Sequence, residues 1–386
     1  MQRARRRVRD RRRTVVKSAL SIDRRRLLGL GTAAGAGLLL PPSLRGAQAA
    51  GFPAVAEKDA VIAFGHVGPV NDEGWTWSHD QGMKAVQAAF PKAKTLFVES
   101  IPYSADATRT FRQFATQKAN LIFATSQYGD FYKDVTKRNR GIAFMECNGS
   151  SLEENLGWYY FAHWYPTYVI GVAAGLMSKT GKLGYVASFP VTSCYASTNA
   201  FLMGARSVKP EATLQVVTIN SWFDPQAATQ AGVALANNGC DFLFGIMDEA
   251  GYLQIAEQRG IKAAMWNTDM RRFGPKAYVS SVVIDLKAYY VDQVAKRLAG
   301  TWEPKSTILP LGKGVDRDAW GETVPEAVAK QADAVREKML SGGFNPFAGE
   351  IRDNKGKVRV PAGQTMSEMD LYKWDWSIEG VAGLGA

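Results

Sequence analysis

Short apolar runs alternate with helical patterns along most of the chain, and this alternation limits the possible folds more than any other feature of the sequence. In the first part of the chain the apolar runs are 61–64, 95–98, 121–124 and 142–145, and the helical patterns are 82–90, 106–117 and 131–138. Apolar strands separated by helices are typical of a parallel sheet that is covered on both faces. This part of the chain therefore predicts one doubly wound lobe.

The same alternation starts again after Trp164. Its apolar runs are 183–187, 214–219, 242–244, 263–266 and 279–283. A chain of 386 residues is also longer than one ordinary core accommodates. The sequence therefore predicts an α/β protein with two doubly wound parallel-sheet lobes. Near the carboxyl end, Asp-Asn-Lys-Gly at 353–356 predicts a hairpin turn.

The net charge of +11 is confined to one segment. Residues 1–49 carry thirteen Arg and Lys against two acidic residues, and the remainder of the chain is balanced. The basic composition therefore says nothing about the folded body. We expect no nucleic-acid partner.

The same segment has the pattern of an export signal. Consecutive arginines, Arg24, Arg25 and Arg26, precede a modest apolar run at 27–40, and Ala-Gln-Ala at 47–49 offers a cleavage site. This arrangement resembles a twin-arginine signal, which predicts a periplasmic protein that begins near residue 50. An uncleaved amino-terminal anchor is the alternative, and residues 1–13 are either a genuine part of the signal or a start-site artefact.

The cysteines and histidines do not form a recognisable metal or redox motif. They are Cys147, Cys194 and Cys240, and His66, His79 and His163. The cysteines lack CxxC spacing and none directly follows the apolar run of the signal, so buried thiols and the absence of a lipid anchor are predicted. For the histidines we expect satisfied structural or rim positions, with no metal and no cofactor.

Ligands of doubly wound sheets bind beyond the carboxyl ends of the strands, and the loops there are rich in aromatic residues. The predicted loops are 65–77, 100–104, 126–130, 146–150, 188–197, 220–224, 245–251 and 267–272. They contain Trp75, Trp77, Tyr103, Tyr128, Phe189, Tyr195, Trp222 and Phe223, with Asp72, Asp130, Asp248, Glu249 and Asp269. Aromatic faces with few titratable groups favour binding over catalysis.

Several short motifs occur in a fixed order along the chain. They are the strand 61–64 followed by Val-Asn-Asp-Glu-Gly-Trp at 70–75, Gly-Lys-Leu-Gly-Tyr-Val at 181–186 with Phe-Leu-Met-Gly at 201–204, Ser-Trp-Phe-Asp-Pro at 221–225, and Trp-Asn-Thr-Asp at 266–269. Together they resemble the basic membrane protein family, also called the purine nucleoside receptor family, of ABC-importer substrate-binding proteins. The resemblance covers about 58–345, and its specificity lies in the order and spacing of these motifs.

The resemblance implies a type I periplasmic binding protein fold with a three-strand hinge. The first lobe would comprise 58–163 and about 284–308, and the second would comprise 164–283 and about 309–386. The resemblance also implies a purine ligand, delivery to a membrane permease of an ABC importer, no cofactor and, in our expectation, a monomer. The tail at 344–386 is more similar to the endings of other binding proteins of this fold.

When the family's residue roles are carried over to this chain, the resemblance implies that Asn71 and Asp72 contact the base and that Trp75 stacks on it. Trp222 or Phe223 would form the opposite wall, and the predicted set is completed by Tyr128, Asp248, Asn267 and Asp269. Trp75 and Trp77 cannot share one face of a helix, so we expect Trp77 to pack elsewhere. Stacking on an aromatic face contributes about 1–3 kcal/mol per base.

Two departures from the family pattern bear on the ligand. Nucleoside-binding members have Asp-x-Asp where this chain has Asn267-Thr268-Asp269, and a lysine where it has Ile284. Both changes remove polar partners of a sugar. We therefore expect a free nucleobase, adenine first, with nucleosides as the alternative.

An enzyme and a sensor are the alternative roles for the same features. A purine-processing enzyme would need a general base and a phosphate cradle or activated water, and the sequence contains no Gly-rich phosphate loop, clustered histidines or nucleophile elbow. We expect no catalytic residues, while a ligand-presenting sensor stays open as an alternative.

Two further features have structural interpretations. Asp224 before Pro225 predicts a helix cap. The aromatic residues at 158–168 predict core or hinge packing, with His163 or Trp164 reaching the cleft as the alternative.

Overall fold

The computed structural model describes residues 51–385, and the predicted export signal lies outside them. The strands are β1 (Val61–Gly65), β2 (Lys94–Val98), β3 (Leu121–Ala124), β4 (Ala143–Cys147), β5 (Leu156–Phe161), β6 (Lys182–Ala187), β7 (Thr213–Thr218), β8 (Phe242–Gly245), β9 (Lys262–Asn267), β10 (Tyr278–Ile284), β11 (Ser306–Leu309), β12 (Val315–Arg317), β13 (Ile351–Arg352), β14 (Val358–Val360) and β15 (Val381–Ala382).

The helices lie between these strands and on both faces of the sheets. They are α1 (Trp75–Ala89), α2 (Ala105–Thr116), α3 (Asp130–Arg138), α4 (Trp164–Met177), α5 (Thr192–Arg206), α6 (Pro225–Asn237), α7 (Gly251–Arg259), α8 (Lys287–Ala299), α9 (Glu326–Leu340) and α10 (Glu368–Tyr372). Short 3₁₀ turns cover Glu57–Asp59 and Arg271–Phe273.

The two main sheets share one order over six strands, and the second sheet has β15 as an additional edge strand. The first sheet runs β2-β1-β3-β4-β5-β11, and all of its pairs are parallel. The second runs β15-β7-β6-β8-β9-β10-β12, parallel except for the antiparallel edge pair of β10 and β12. In each sheet the order reverses next to its first strand, so each has a switch point between its first and third strands where a ligand site is expected.

We call the first sheet with α1, α2, α3 and α8 the first lobe, and the second sheet with α4, α5, α6, α7 and α9 the second lobe. The chain passes between the two sheets after β5, after β10 and after β11. The fold class predicted from the sequence is thus confirmed. The predicted lobe boundaries, as boundaries of bodies that move independently, stay a prediction.

Local capping explains where two helices begin. The helical pattern at 82–90 extends back to Trp75 because the Asp72 carboxylate accepts the backbone N–H groups of Thr76 and Trp77, at 2.8 Å each. The predicted cap of α6 is confirmed, since Asp224 Oδ1 accepts the N–H of Ala227 at 2.9 Å and Pro225 occupies the first helical position.

Close helix packing fixes α5 within the second lobe. A Cβ atom at Gly204 would lie 2.1 Å from the carbonyl oxygen of Tyr168, so glycine allows α5 to approach the backbone of α4. The amino end of α5 points to the region between the lobes, where Ser193 is placed. Packing deep in the second lobe therefore positions a residue of the candidate site.

The buried residues include all three cysteines, which are free thiols as predicted. His79 is a buried structural residue that is satisfied in part, since its Nδ1 lies 2.5 Å from the Tyr290 hydroxyl while its Nε2 has no hydrogen-bond partner among the described residues. The prediction differs from the structure for His66 and His163, which are buried while no atom of residues 51–385 hydrogen-bonds to their ring nitrogens. Burial lowers the pKa of His66 to about 4 and that of His163 to about 3, so both rings are neutral.

The carboxyl-terminal segment adds structure that extends beyond the predicted hairpin. Strands β13 and β14 form that hairpin, which confirms the turn at 353–356. The chain then forms α10 and adds β15 to the edge of the second sheet. Among the described residues, no helix combines the length and apolar character needed to cross a membrane.

Candidate ligand-binding site

A cavity of about 500 Å³ lies between the two lobes at the carboxyl ends of their strands. Its lining comes from both lobes: Val67, Gly68, Pro69, Asn71, Asp72, Trp75, Thr76, Ser126, Asn148 and Tyr160 from the first, and Ser193, Trp222, Phe223, Ile246, Asp248 and Trp266 from the second. The volume is in the range of small-molecule sites. The location is the one that the switch points predict.

Trp75 is held firmly in the first-lobe wall. Its indole Nε1 donates a hydrogen bond to the carbonyl oxygen of Thr125 at 2.8 Å. Its ring packs against His79 and Phe161, with centroid distances of 4.9 and 5.5 Å. Trp77, two residues further along the same helix, is 40% exposed and does not line the cavity. The structure thus separates the two tryptophans as the helix geometry predicts, although Trp77 is exposed rather than packed as expected.

Asn71 and Asp72 also line the cavity, but they differ in whether their side chains already form hydrogen bonds within the protein. The Asp72 carboxylate accepts backbone N–H groups from Gly74, Thr76 and Trp77 at 2.8–2.9 Å. Asp72 therefore shapes the start of α1, while Asn71 is exposed at the cavity. The asparagine side chain keeps both a donor and an acceptor for a ligand.

Asp248 is the carboxylate that joins the two lobes. Its Oδ1 accepts the backbone N–H of Trp75 at 3.1 Å and the side-chain amide of Asn267 at 2.6 Å. Gly74 permits this contact, since a Cβ there would lie 2.6 Å from Asp248 Oδ1. Desolvation, with a further contribution from Asp72, raises the pKa of Asp248 to about 7.

Aromatic side chains of the second lobe face the same cavity. Trp222 and Phe223 are 41% and 56% exposed, whereas Trp266 is buried. Trp222 packs against Phe189 with the ring centroids 5.6 Å apart. The second-lobe wall therefore combines one fixed ring with two rings that keep much of their surface free.

The electrostatic character of the cavity is acidic. Of the lining residues named above, Asp72 and Asp248 carry carboxyl side chains, and the lining contains no Lys, Arg or His. A phosphate or carboxylate group would therefore meet like charge without a cationic partner. Hydrogen-bond donors of a ligand are favoured instead.

Three predicted site residues lie away from the cavity wall. Tyr128 is fully buried, and its hydroxyl donates to the Ile101 carbonyl oxygen at 3.1 Å. Asn267 lies behind Asp248 and orients it through the side-chain hydrogen bond. Asp269 forms an ion pair with Arg271 at 2.7 Å. None of the three lines the cavity in this structure.

The cavity also includes residues that the sequence analysis did not select, namely Ser126, Asn148, Tyr160, Ser193 and Trp266. Asn148 belongs to a loop that was selected, and it has a positive φ of 58°. Its side-chain oxygen is buried with no hydrogen-bond partner among the described residues, so it is an unpaired acceptor. Tyr160 and Trp266 lie within apolar strands, where they could not be distinguished from core residues.

Further contacts hold the two lobes together beside the cavity. Glu73 and Arg272 form an ion pair, and the Thr268 hydroxyl donates to the Glu73 carbonyl oxygen. Glu73 belongs to the loop before α1, and the other two follow β9. The loop that carries the predicted base-contacting residues is thus in direct contact with the second lobe.

Comparison with known proteins identifies the family. The model of the PnrA-like ABC transporter substrate-binding proteins, the basic membrane protein family, matches residues 60–342. The chain belongs to this family. Its members are solute-binding proteins rather than enzymes. These binding proteins interact with membrane permeases and generally work outside the cytoplasm. The family assignment expected from the sequence motifs is therefore confirmed.

Curated relatives include proteins named for different ligands. A purine-binding protein of Brucella abortus (strain 2308) is 34% identical over 333 residues, which cover 86% of this chain and 95% of the relative. A protein of Haloferax volcanii that is named for glucose binding is 32% identical over 323 residues, covering 83% and 80% of the two chains.

Solved structures support the fold. A solute-binding protein of an ABC transporter system from Conexibacter woesei has a TM-score of 0.62 at 19% identity. The alignment covers 74% of this chain and 98% of that chain. Similarity at this identity supports the type I fold of the two lobes and does not extend to the ligand.

Proposed function

We propose that this protein captures a purine, with the free base adenine preferred, between its two lobes and delivers it to the permease of an ABC importer. The observation that carries the proposal is the cavity wall. Trp75 and Tyr160 from the first lobe and Trp222, Phe223 and Trp266 from the second surround one acidic cavity. Planar heteroaromatic rings gain about 1–3 kcal/mol from each aromatic stack.

The polar groups of the cavity complement a ligand that is rich in N–H donors. The buried Asn148 side-chain oxygen is an unpaired acceptor beside the cavity, and the Asp248 carboxylate offers a second acceptor. Adenine presents an exocyclic amino group and a ring N–H, while its ring nitrogens can accept from Asn71. A buried acceptor that stays unpaired is costly, so these positions disfavour ligands that present only acceptors there.

The proposed mechanism is closure of the two lobes around the ligand. A base that binds the first-lobe wall completes its contacts when the second lobe approaches, so it shifts the equilibrium by its differential affinity for the closed state. The contacts of Asp248, Thr268 and Arg272 with the loop before α1 would form in the closed state. The permease would then recognise that state.

The preference for a free base over a nucleoside follows from the two positions at which this chain departs from the nucleoside-binding pattern. The Asn267 side-chain amide is engaged with Asp248, and Ile284 is a buried apolar residue. Neither supplies the charged partner that the family pattern places there for a sugar. A ligand-presenting sensor would use the same cavity, and whether an importer gene adjoins this one separates the two roles.

Isothermal titration calorimetry with adenine, adenosine and glucose tests the proposal. We expect adenine to bind most tightly, with adenosine at least about tenfold weaker, a difference of about 1.4 kcal/mol. Adenosine binding tenfold tighter than adenine would overturn the preference for the base. Binding of glucose in place of both would overturn the purine assignment.

We also propose that the protein reaches the periplasm through a twin-arginine signal, on the basis of Arg24, Arg25 and Arg26 before the apolar run. Replacing all three with lysine should retain the protein in the cytoplasm. Unchanged export, measured by cell fractionation, would contradict this assignment.

A further inference from the structure

The carboxyl-terminal segment 343–385 follows the part of the chain that the family model matches, and it is anchored to the second lobe. Its strand β15 pairs with β7 through Val381 and Leu214. The buried Asn199 on α5 donates to the Trp376 carbonyl oxygen at 2.8 Å and accepts the N–H of Ile378 at 3.0 Å. These contacts fix the segment to one lobe.

The same segment reaches the first lobe through Tyr372, the last residue of α10. The Tyr372 ring stacks on Trp158 of β5, with a centroid distance of 5.1 Å and an interplanar angle of 14°. It also contacts Tyr160, two residues further along the strand, at 5.1 Å. Residues two apart on a strand share one face, so Tyr372 covers the face that carries the cavity residue Tyr160.

Tyr372 supports a second part of the cavity wall. Its hydroxyl donates to the Gly149 carbonyl oxygen at 2.9 Å. Gly149 directly follows Asn148, which lines the cavity and carries the unpaired side-chain oxygen. The backbone N–H of Asn148 is itself bonded to the Tyr159 carbonyl oxygen at 3.0 Å. One side chain of the terminal segment therefore contacts both the strand and the turn that present ligand-facing groups.

We propose that Tyr372 is a positioning residue of the ligand site, which acts through Tyr160 and the Asn148–Gly149 turn and couples both to the second lobe. The proposal rests on the proposed function in that the cavity between the lobes is the ligand site. Tyr372 does not itself line the cavity. Its effect on a ligand passes through the two residues that do.

The experiment compares Tyr372→Ala and Tyr372→Phe with Met369→Ala, a matched control that truncates an exposed side chain on the same helix. Hydrogen exchange of the ligand-free protein is followed in peptides that cover 146–161, and adenine binding and dissociation are followed by stopped-flow fluorescence. The first measurement does not depend on any ligand, so it separates this proposal from the proposed function.

We expect Tyr372→Ala to accelerate exchange at 146–161 and to raise the adenine dissociation rate about tenfold with little change in association, since aromatic contacts and a hydrogen bond are lost. Tyr372→Phe keeps the ring and should keep dissociation within about threefold of the unsubstituted protein. Met369→Ala should change neither measurement.

Equal exchange in Tyr372→Ala and Met369→Ala would overturn the proposal, whether or not adenine binds. Faster exchange with unchanged adenine dissociation would also overturn it, because Tyr372 would then contribute to packing alone. Failure of the unsubstituted protein to bind adenine would defeat the proposed ligand, and the exchange comparison would still decide whether Tyr372 orders the wall. If Tyr372→Ala does not fold, Tyr372→Leu is compared by the same criteria.

Discussion

The two walls of the cavity are built on sheets with the same strand order, yet they hold their aromatic residues differently. In the first lobe, Trp75 is tied down by a 2.8 Å hydrogen bond and by packing on both His79 and Phe161. In the second lobe, Trp222 is 41% exposed and packs on Phe189. Under the proposed function, the first wall would be formed before the ligand arrives, and the second would complete its contacts on binding.

This difference has an energetic consequence. A ring that is already ordered loses little conformational entropy when a ligand stacks on it, whereas an exposed ring must be ordered at some cost. The first-lobe wall should therefore supply more of the binding free energy. The second-lobe wall should contribute more to the difference between open and closed states.

The largest effect is expected for Trp75→Ala. Loss of a preformed stacking face worth about 1–3 kcal/mol should weaken adenine binding about 5- to 150-fold. Trp77→Ala is the matched control, because Trp77 lies on the same helix and outside the cavity. Calorimetry measures both. An equal loss of adenine affinity in the two variants would contradict the role assigned to the first-lobe wall.

The next effect is a pH dependence that arises from Asp248. Burial raises the pKa of this carboxyl to about 7. Below that pH the carboxyl must lose a proton before it accepts a hydrogen bond from the ligand, and this loss weakens binding. Adenine affinity should therefore rise about tenfold from pH 6 to pH 8. In Asp248→Asn the affinity should be lower at pH 8 and nearly independent of pH over this range. An unchanged pH profile in the variant would assign the titration to another group.

A smaller effect is expected for Trp222→Ala, at about 3- to 10-fold in adenine affinity, because part of its stacking energy is spent on ordering an exposed ring. Val191→Ala, at another exposed apolar residue of the second lobe, serves as the control. Affinity measured by calorimetry decides the outcome. A loss greater than that of Trp75→Ala would reverse the roles assigned to the two walls.

The smallest effect is expected for the ion pair between Glu73 and Arg272. Both side chains are about half exposed, and exposed pairs contribute little because solvent screens them. Arg272→Ala should therefore speed adenine dissociation by no more than about twofold, and Arg259→Ala on α7 is the control. A change of tenfold would show that this contact, rather than stacking, holds the lobes closed.

The sequence predicted the fold well because the spacing of apolar residues indicates each strand or helix, and the order of these elements indicates the type of sheet. Continuous apolar runs between helical patterns required parallel sheets, and their repetition required two lobes. The loop from Asn71 to Trp75 was found because it joins a strand to a helix with turn residues and an aromatic side chain. The edge strand β15 was not predicted, since two residues carry no periodic signal.

The site was predicted less completely, for reasons that concern individual side chains. Tyr128 was expected at the ligand, but its backbone N–H donates to the buried Glu146 carboxylate at 2.8 Å and its hydroxyl is engaged in the core. Tyr160 and Trp266 were missed because the end of a buried strand and its interior have the same sequence pattern. Which side chains face a cavity depends on tertiary packing that no local pattern records.

A crystal structure of the protein with adenine tests the central claim most directly. We expect the ring to lie between Trp75 and the aromatic residues of the second lobe, at about 3.5 Å from the Trp75 indole plane. Its amino group or ring N–H should donate to Asp248 or Asn148. Electron density for adenine outside this cavity, or a cavity that closes without contact between the ring and Trp75, would contradict the account.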